Sequence, residues 1–148
     1  MLTAEVTVPV DPTAAFATLA DGWLYASWVV GASHIGRVDP EWPAVGSRIQ
    51  YRFGLWPVLI SDTTVVRAVD PPHRLELEAR LWSVGSAWIR LTLTEASPGC
   101  TTIRMTERAS SGPAQLIPGV AQDLAFAARN QESLDRLADL IRARAQNS

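Results

Sequence analysis

Residues 74–95 read RLELEARLWSVGSAWIRLTLTE, and this stretch decides the class of fold. Apolar and polar residues alternate in both halves, which indicates two strands with one face buried and the other in water. Val84 and Gly85 stand between the halves and supply a turn, so the two strands are expected to form an antiparallel hairpin. The apolar face consists of Leu75, Leu77, Ala79, Leu81, Ala87, Ile89, Leu91 and Leu93.

Similar strands lie on both sides of this hairpin and are separated by turn-forming residues at regular spacing. Near the amino terminus, Asp11 is a good helix cap and Pro12 suits a first helical position, which predicts a helix after the first strand. The predicted strands are residues 2–8, 33–38, 47–53, 58–69, 74–81, 86–95 and 101–109. The predicted short helices are residues 12–20 and 23–30.

A helical period runs from about residue 120 to residue 144 and predicts the longest element of the chain. Its apolar residues form one seam, which also contains Gln131 and is expected to face the sheet. The first half of the helix carries small residues, Ala125, Ala127 and Ala128, and the second half large ones, so we expect a cavity near residues 120–131. The seam consists of Val120, Leu124, Ala127, Leu134, Ala138 and Ile141.

Length and composition exclude several classes of function. The chain has 148 residues, which suits one domain over residues 1–148, and its formal net charge of -2 argues against a nucleic-acid partner. All 13 basic residues are Arg, so chemistry that needs a lysine amine is excluded. A single cysteine, Cys100, favours the cytoplasm. No apolar run approaches the roughly 18 residues of a membrane span, so we expect no membrane insertion.

Five segments resemble those of one protein superfamily. They are residues 42–46 (WPAVG), 54–57 (GLWP), 70–72 (DPP), 102–107 (TIRMTE) and 129–134 (RNQESL). Together with the order of elements, they are similar to the polyketide cyclase/dehydrase-like bacterial branch of the START-like helix-grip (SRPBCC) superfamily. The resemblance covers nearly the whole chain. It implies an α+β helix-grip fold, with a curved antiparallel seven-stranded sheet wrapped around a long C-terminal helix and two short helices after the first strand.

The resemblance also implies a ligand cavity between the sheet and the C-terminal helix. Members of the superfamily bind lipids, polyketides, plant hormones or quinones, and some are enzymes whereas many only bind. We therefore expect an apolar, ring-containing or lipid-like small molecule as the partner. Two hypotheses stay open, namely catalysis of a polyketide-type aldol cyclisation or dehydration, and a non-catalytic carrier or sensor.

Glu107 is the first candidate for a catalytic residue. Met105 belongs to the buried face of its strand, and Glu107 shares that face. A carboxylate on an apolar face is costly unless it is paired, and it is also well placed for proton transfer. The alternative is a structural ion pair with Arg52, Arg108 or Arg129.

Tyr51 and His34 are the other catalytic candidates. Tyr51 shares the inward parity, where its phenol could stabilise an enolate oxygen, or it is a core tyrosine bonded to the backbone. His34 could act as an acid or base near neutral pH if it faces inward with Gly36. If Ile35 sets the buried face instead, His34 is exposed to solvent.

The expected ligand site needs neither a metal nor an external cofactor, because two distant histidines give no metal-ligand spacing.

Two further aromatic residues, Trp82 and Trp88, fall on the exposed face of the sheet, which suggests a protein-interaction surface or a homodimer as a third hypothesis. The residues expected to line the cavity are Trp28, Phe53, Trp56, Leu77, Ile89, Met105, Val120, Leu124, Ala128 and Gln131.

Overall fold

The computed structural model describes residues 3–55, 58–81 and 85–147. Its seven strands are β1 (Ala4–Val8), β2 (Ala32–Val38), β3 (Arg48–Leu55), β4 (Val58–Asp70), β5 (Arg74–Leu81), β6 (Gly85–Ser97) and β7 (Cys100–Ser111). Its helices are α1 (Pro12–Leu19), α2 (Tyr25–Trp28) and α3 (Gly119–Gln146), with short 3-10 turns at Gly22–Leu24 and Pro113–Leu116. Each predicted strand is present, and its ends lie within two residues of the prediction.

All seven strands form one antiparallel sheet in the order β1-β7-β6-β5-β4-β3-β2. Strands β2 to β7 follow the chain as successive hairpins, whereas β1 pairs with β7, the last strand. The sheet is open and curved, and α3 packs mainly against β1 and β7. The predicted α+β helix-grip fold is therefore confirmed.

Local chemistry explains where α1 begins. The Asp11 carboxylate accepts a hydrogen bond from the Ala14 N–H (2.8 Å), and Pro12 occupies the first helical position. The carboxylate thereby satisfies one of the amides that a helix leaves free at its start.

The core lies between one face of the sheet and the helices. Leu75, Leu77, Ile89 and Leu91 are buried there, as the alternation in residues 74–95 predicts. The second half of α3 closes the core with Leu134, Leu137, Ala138 and Ile141.

The first half of α3 is rotated relative to the predicted seam. Val120 and Leu124 are 74% and 70% exposed, and Ala128 and Gln131 are exposed as well, so none of these four is buried against the sheet. The positions that are at least half-buried are Gln122, Asp123, Phe126, Ala127, Arg129 and Asn130. The prediction was wrong here because it assigned the apolar residues to the inside, whereas this half of the helix turns mostly polar groups inward.

Strand β2 contains an irregularity that decides the position of His34. The pairing with β3 is regular at Ser33 and Arg37 but shifts between them. Ile35 packs against the core, whereas His34 is exposed, has a φ of 48° and bonds to the Ser33 hydroxyl (3.1 Å). The alternative in which Ile35 sets the buried face is therefore the correct one, and His34 does not reach the interior.

Within the described residues, none of the helices combines the length and apolar character needed to cross a bilayer.

Candidate functional site

A buried ion pair joins the last strand to the C-terminal helix. Glu107 on β7 points inward and is only 4% exposed. Its Oε1 accepts a hydrogen bond from Arg129 Nη2 on α3 (2.5 Å). Of the three arginines considered as partners in the sequence, Arg129 is the one that forms the pair.

One atom on each side of this pair has no hydrogen-bond partner. Glu107 Oε2 and Arg129 Nε are both buried, and no polar group of the described residues bonds to either. Buried polar atoms are almost always paired, since leaving one unpaired costs about 1–3 kcal/mol. The two atoms therefore mark a place where a hydrogen-bonding ligand would be stabilised.

Aromatic rings surround the Arg129 side chain. The guanidinium carbon lies 5.9 Å from the centroid of the Phe53 ring on β3 and 5.7 Å from that of Phe126 on α3. These are cation–π distances, and they hold the guanidinium between two apolar surfaces. The polar centre of the site thus has walls suited to a ring-containing molecule.

A cluster of three hydroxyl groups lies on the same interior face. The hydroxyl groups of Tyr25 and Tyr51 lie 2.9 Å and 3.0 Å from the Thr64 hydroxyl oxygen, and the two phenol rings are 5.2 Å apart. Burial raises the pKa of Tyr25 to about 12, and it also raises the pKa of Tyr51 above its ordinary value. Both phenols therefore keep their protons at neutral pH and can donate hydrogen bonds.

This cluster lies on the same interior face as the ion pair, because Tyr51 is two residues from Phe53 on β3 and the Phe53 ring packs on Arg129. The charge of Asp62, which is also buried on β4, raises the pKa of Tyr51.

A cleft of 520 Å³ reaches Glu107 from outside, between the end of β7 and the start of α3. Gln122 bridges the two sides, since its amide oxygen accepts from the Ala109 N–H (3.0 Å) and its amide nitrogen donates to the Ile117 carbonyl (2.8 Å). Val120 and Asp123 also line the cleft. It offers a ligand a path toward the ion pair.

The predicted site residues divide into three groups. Glu107, Tyr51 and Phe53 lie in the polar interior just described, and Trp28, Leu77, Ile89 and Met105 are buried in the core that surrounds it. His34 is exposed at the irregular part of β2, beside a pocket of 230 Å³ that Tyr51 and Asp62 also line, and Val120, Leu124, Ala128 and Gln131 are exposed on α3. Gln131 bonds there to the Glu5 carbonyl (3.2 Å) and to Asp135 (3.1 Å). Trp56 and Trp82 lie outside the described residues.

Three residues of the interior, Tyr25, Thr64 and Phe126, are absent from the predicted set. Tyr25 lies in the predicted short helix at residues 23–30, in which Trp28 was the one residue expected to line the cavity. Thr64 lies in a strand without regular alternation, and Phe126 lies beside the wrongly placed seam. The one available signal for Tyr25 and Phe126 was an aromatic residue next to polar or small neighbours, which does not distinguish a site from a core.

Among the described residues, no three His, Cys, Asp or Glu side chains come close enough together to hold a metal ion. In the part of the interior that the structure describes, a ligand can form hydrogen bonds, meet the Glu107–Arg129 ion pair and pack against aromatic rings.

Solved structures share this architecture at low sequence identity. A protein of Nitrosomonas europaea is 15% identical, with a TM-score of 0.73 over 98% of this chain and 96% of its own. Ara h 8.0201 is 16% identical, with a TM-score of 0.69 over 96% of this chain and 97% of its own. At these identities the likeness shows the fold alone.

The di-domain ARO/CYC StfQ from the steffimycin biosynthetic pathway is 14% identical, with a TM-score of 0.68. The match covers 99% of this chain and 46% of StfQ, so this chain spans a little under half of that protein. No curated protein matches the sequence. Residues 1–142 match the family described as polyketide cyclase / dehydrase and lipid transport, and the chain therefore belongs to this family.

Proposed function

We propose that this protein, acting as a single domain over residues 1–148, binds an apolar, ring-containing or lipid-like small molecule between its sheet and α3. The observation that carries the proposal is the buried Glu107–Arg129 pair, in which Oε2 and Nε lack partners. The single cysteine, Cys100, supports a cytoplasmic location.

The two unpaired atoms specify the polar part of the ligand. Glu107 Oε2 accepts a hydrogen bond, whereas Arg129 Nε–H donates one. A hydroxyl group next to a carbonyl oxygen satisfies both atoms at once. Because the charges of the pair cancel, the site favours a neutral ligand over an anion.

The family to which the chain belongs supports this reading, since its description covers both lipid transport and polyketide cyclisation. StfQ, a structural neighbour, is an ARO/CYC protein. Both descriptions point to apolar molecules that carry a few oxygen atoms.

The test compares two probes that differ only in a hydrogen-bond donor, β-naphthol and its methyl ether, by isothermal titration calorimetry. We expect the protein to bind β-naphthol more tightly, because only the phenol can donate to Glu107. The variant Glu107→Gln should lose this preference through an approximately tenfold weaker affinity for β-naphthol, since a charge-assisted hydrogen bond becomes a neutral one.

Glu78→Gln is the matched control, because Glu78 pairs with Arg67 on the other face of the sheet (2.7 Å). It should bind both probes like the unmodified protein. Equal affinities for the two probes in all three proteins, or no saturable binding of either, would contradict the proposed site. Mass spectrometry under non-denaturing conditions, repeated after denaturation, would then identify the chemical class of any molecule that co-purifies.

Catalysis of an aldol cyclisation is the second candidate function, and the protonated phenols beside a free carboxylate oxygen favour it. Glu107 would remove a proton from the carbon next to a carbonyl group, and Tyr51 or Tyr25 would donate a hydrogen bond to the enolate oxygen that forms. The enolate carbon then attacks a second carbonyl of the same molecule, and the alkoxide that forms takes the proton back from the Glu107 carboxyl group. Glu107 then removes a second proton from the carbon next to the first carbonyl, and the new hydroxyl group takes that proton from Glu107 and leaves as water.

Turnover of a linear diketone separates this candidate from a carrier. An enzyme should lose most of its rate in Glu107→Gln while Tyr51→Phe loses a smaller part, and both variants should still bind the diketone. A carrier should show no rate above that of the buffer in any of these proteins.

A further inference from the structure

A groove of 340 Å³ lies on the convex face of the sheet, the face opposite to the ligand site proposed above. It crosses two strands, β7 and β6, and reaches Thr3, which directly precedes the edge strand β1. Its lining residues are Thr3, Trp88, Arg90, Thr106, Glu107 and Arg108. Glu107 turns its side chain to the interior, so the other five residues supply the chemistry of the groove.

The groove carries an excess of positive charge. The carboxylate of Glu76 lies beside it and is paired with two guanidinium groups, Arg90 (3.5 Å) and Arg74 (3.4 Å). The backbone of Arg108 pairs with Trp88 on β6, and its exposed side chain forms no ion pair or hydrogen bond with the residues that the structure describes. Two arginines therefore share one carboxylate, and Arg108 has none.

The other carboxylates on this face do not offset the excess. Glu78 lies next to Trp88 across the sheet but is paired with Arg67 (2.7 Å), and Glu5 is paired with Arg104 (2.9 Å). Each of these pairs is neutral. The positive charge of the groove thus stands out on a chain whose formal net charge is -2.

Trp88 forms a fixed apolar wall beside these charges. Its Nε1–H donates to Glu76 Oε1 (2.9 Å), and the side chain is half-buried. On the opposite side, the hydroxyl groups of Thr3 and Thr106 lie 3.4 Å apart and complete the rim. A fixed indole next to an unpaired guanidinium is suited to a molecule with a flat apolar part and one negative charge.

We propose that this groove binds a small aromatic carboxylate, with the ring against Trp88 and the carboxylate on Arg108 and Arg90. The volume lies at the lower end of the range of ligand pockets, about 300–1,000 Å³, which favours a molecule of one or two rings. The site is separate from the interior one, where the Glu107–Arg129 pair is neutral.

The test is a titration of the full chain with β-naphthoate, followed by calorimetry or by ligand-observed NMR. We expect saturable binding that weakens as salt is added, and Arg108→Gln should lower the affinity about tenfold. Arg104→Gln is the control, because Arg104 lies on the same strand and the same face but is already paired with Glu5. It should bind within about twofold of the unmodified chain.

Two further comparisons assign the binding to this groove. The neutral amide, β-naphthamide, should bind at least about tenfold more weakly than β-naphthoate. The variant Arg90→Gln should also weaken β-naphthoate binding, because Arg90 lines the groove and is assigned to the carboxylate.

Four outcomes would overturn the proposal. They are equal effects of Arg108→Gln and Arg104→Gln, equal affinities for the acid and the amide, a β-naphthoate affinity that Arg90→Gln leaves unchanged, and an absence of saturable binding. Dimerisation that depends on Arg108 in a protein that does not bind β-naphthoate would assign the groove to a second copy of the chain, and this too overturns the proposal.

Discussion

Glu107 illustrates how much one residue's environment determines what it can do. Its side chain is 1% exposed, whereas that of Arg129 is 23% exposed, so the carboxylate depends on the guanidinium far more than the reverse. A buried charge without its partner is strongly destabilising, but a buried ion pair is often no more stable than well-packed apolar residues of similar size. The presence of such a pair is explained better by a ligand than by stability.

This asymmetry predicts a non-additive mutant cycle. Arg129→Met leaves Glu107 buried without its partner and should lower the free energy of unfolding by about 3 kcal/mol. The double variant Glu107→Leu with Arg129→Met removes both charges and should return to within about 1 kcal/mol of the unmodified protein. Urea unfolding of the four proteins measures the cycle. Additive losses in the double variant would mean that the pair itself stabilises the fold.

Tyr25 predicts how stability depends on pH in the alkaline range. Its pKa is raised by burial from 10.0 to about 12 in the folded protein, so the unfolded chain loses this proton first. The contribution of the protonated Tyr25 phenol to the free energy of unfolding is therefore complete below pH 10. It is lost as the pH rises toward the folded pKa, by up to about 1.4 kcal/mol per pH unit. Tyr51, whose pKa is also raised by burial, acts in the same direction.

The absence of lysine makes this effect measurable. Thiols and α-amino groups ordinarily titrate below about pH 9, and arginine side chains titrate above about pH 12. In a chain without lysine, tyrosine is therefore the residue type that titrates between these limits, and this chain has two tyrosines. Urea unfolding from about pH 8 to about pH 11 should show a falling stability that is much flatter in the variant with both Tyr25→Phe and Tyr51→Phe. The same slope in both proteins would show that other groups cause alkaline unfolding.

At the scale of elements, the two halves of α3 differ in what holds them. The second half buries Leu134, Leu137 and Ile141, and the Ser133 hydroxyl accepts from the Val30 N–H (3.0 Å). The first half exposes Val120 and Leu124 and turns Gln122, Phe126 and Arg129 toward the sheet.

These halves predict contrasting effects of the same substitution. Leu134→Ala creates a cavity in the core and should cost about 2–5 kcal/mol of unfolding free energy. Leu124→Ala removes an exposed side chain and should change stability by less than about 0.5 kcal/mol. Thermal or urea unfolding of both variants checks the contrast. A large loss in Leu124→Ala would place this residue against the sheet, as the sequence pattern indicated.

The same contrast explains what could be predicted from the sequence. Strands such as β5 and β6 were predictable because each has one buried and one wet face, and alternation reports that difference directly. The phase of α3 was predictable only in its second half, where apolar residues do face the core. In the first half, Arg129 and Gln122 face inward, and a rule that places apolar residues inside cannot find polar groups that a binding site retains.

The remaining site residues depend on contacts between distant segments. Glu107 could be found because its strand alternates, but Tyr25 and Thr64 meet at a separation of 39 residues through a hydrogen bond that no local pattern encodes. His34 was ambiguous for a related reason, since a one-residue change of register moves every side chain to the other face.

At the scale of the whole molecule, the pairing of β1 with β7 places the last strand inside the sheet, beneath α3. The Glu107–Arg129 pair thus connects an interior strand to the less firmly packed half of the helix. A ligand bound at this pair contacts both elements, so it should stabilise the first half of α3 more than the rest of the fold.

Hydrogen exchange with and without β-naphthol tests this coupling. Before ligand is added, amides in residues 119–129 should exchange faster than those in residues 130–141, because fewer buried contacts hold them. At a β-naphthol concentration about ten times the dissociation constant, binding adds roughly 1.4 kcal/mol to the opening free energy of the segments that must open with the site. Exchange in residues 119–129 should then slow by about tenfold, and the effect should disappear in Glu107→Gln. Slowing confined to β2 and β3 would instead locate the ligand away from α3, and the ion pair would then be a structural feature of the fold.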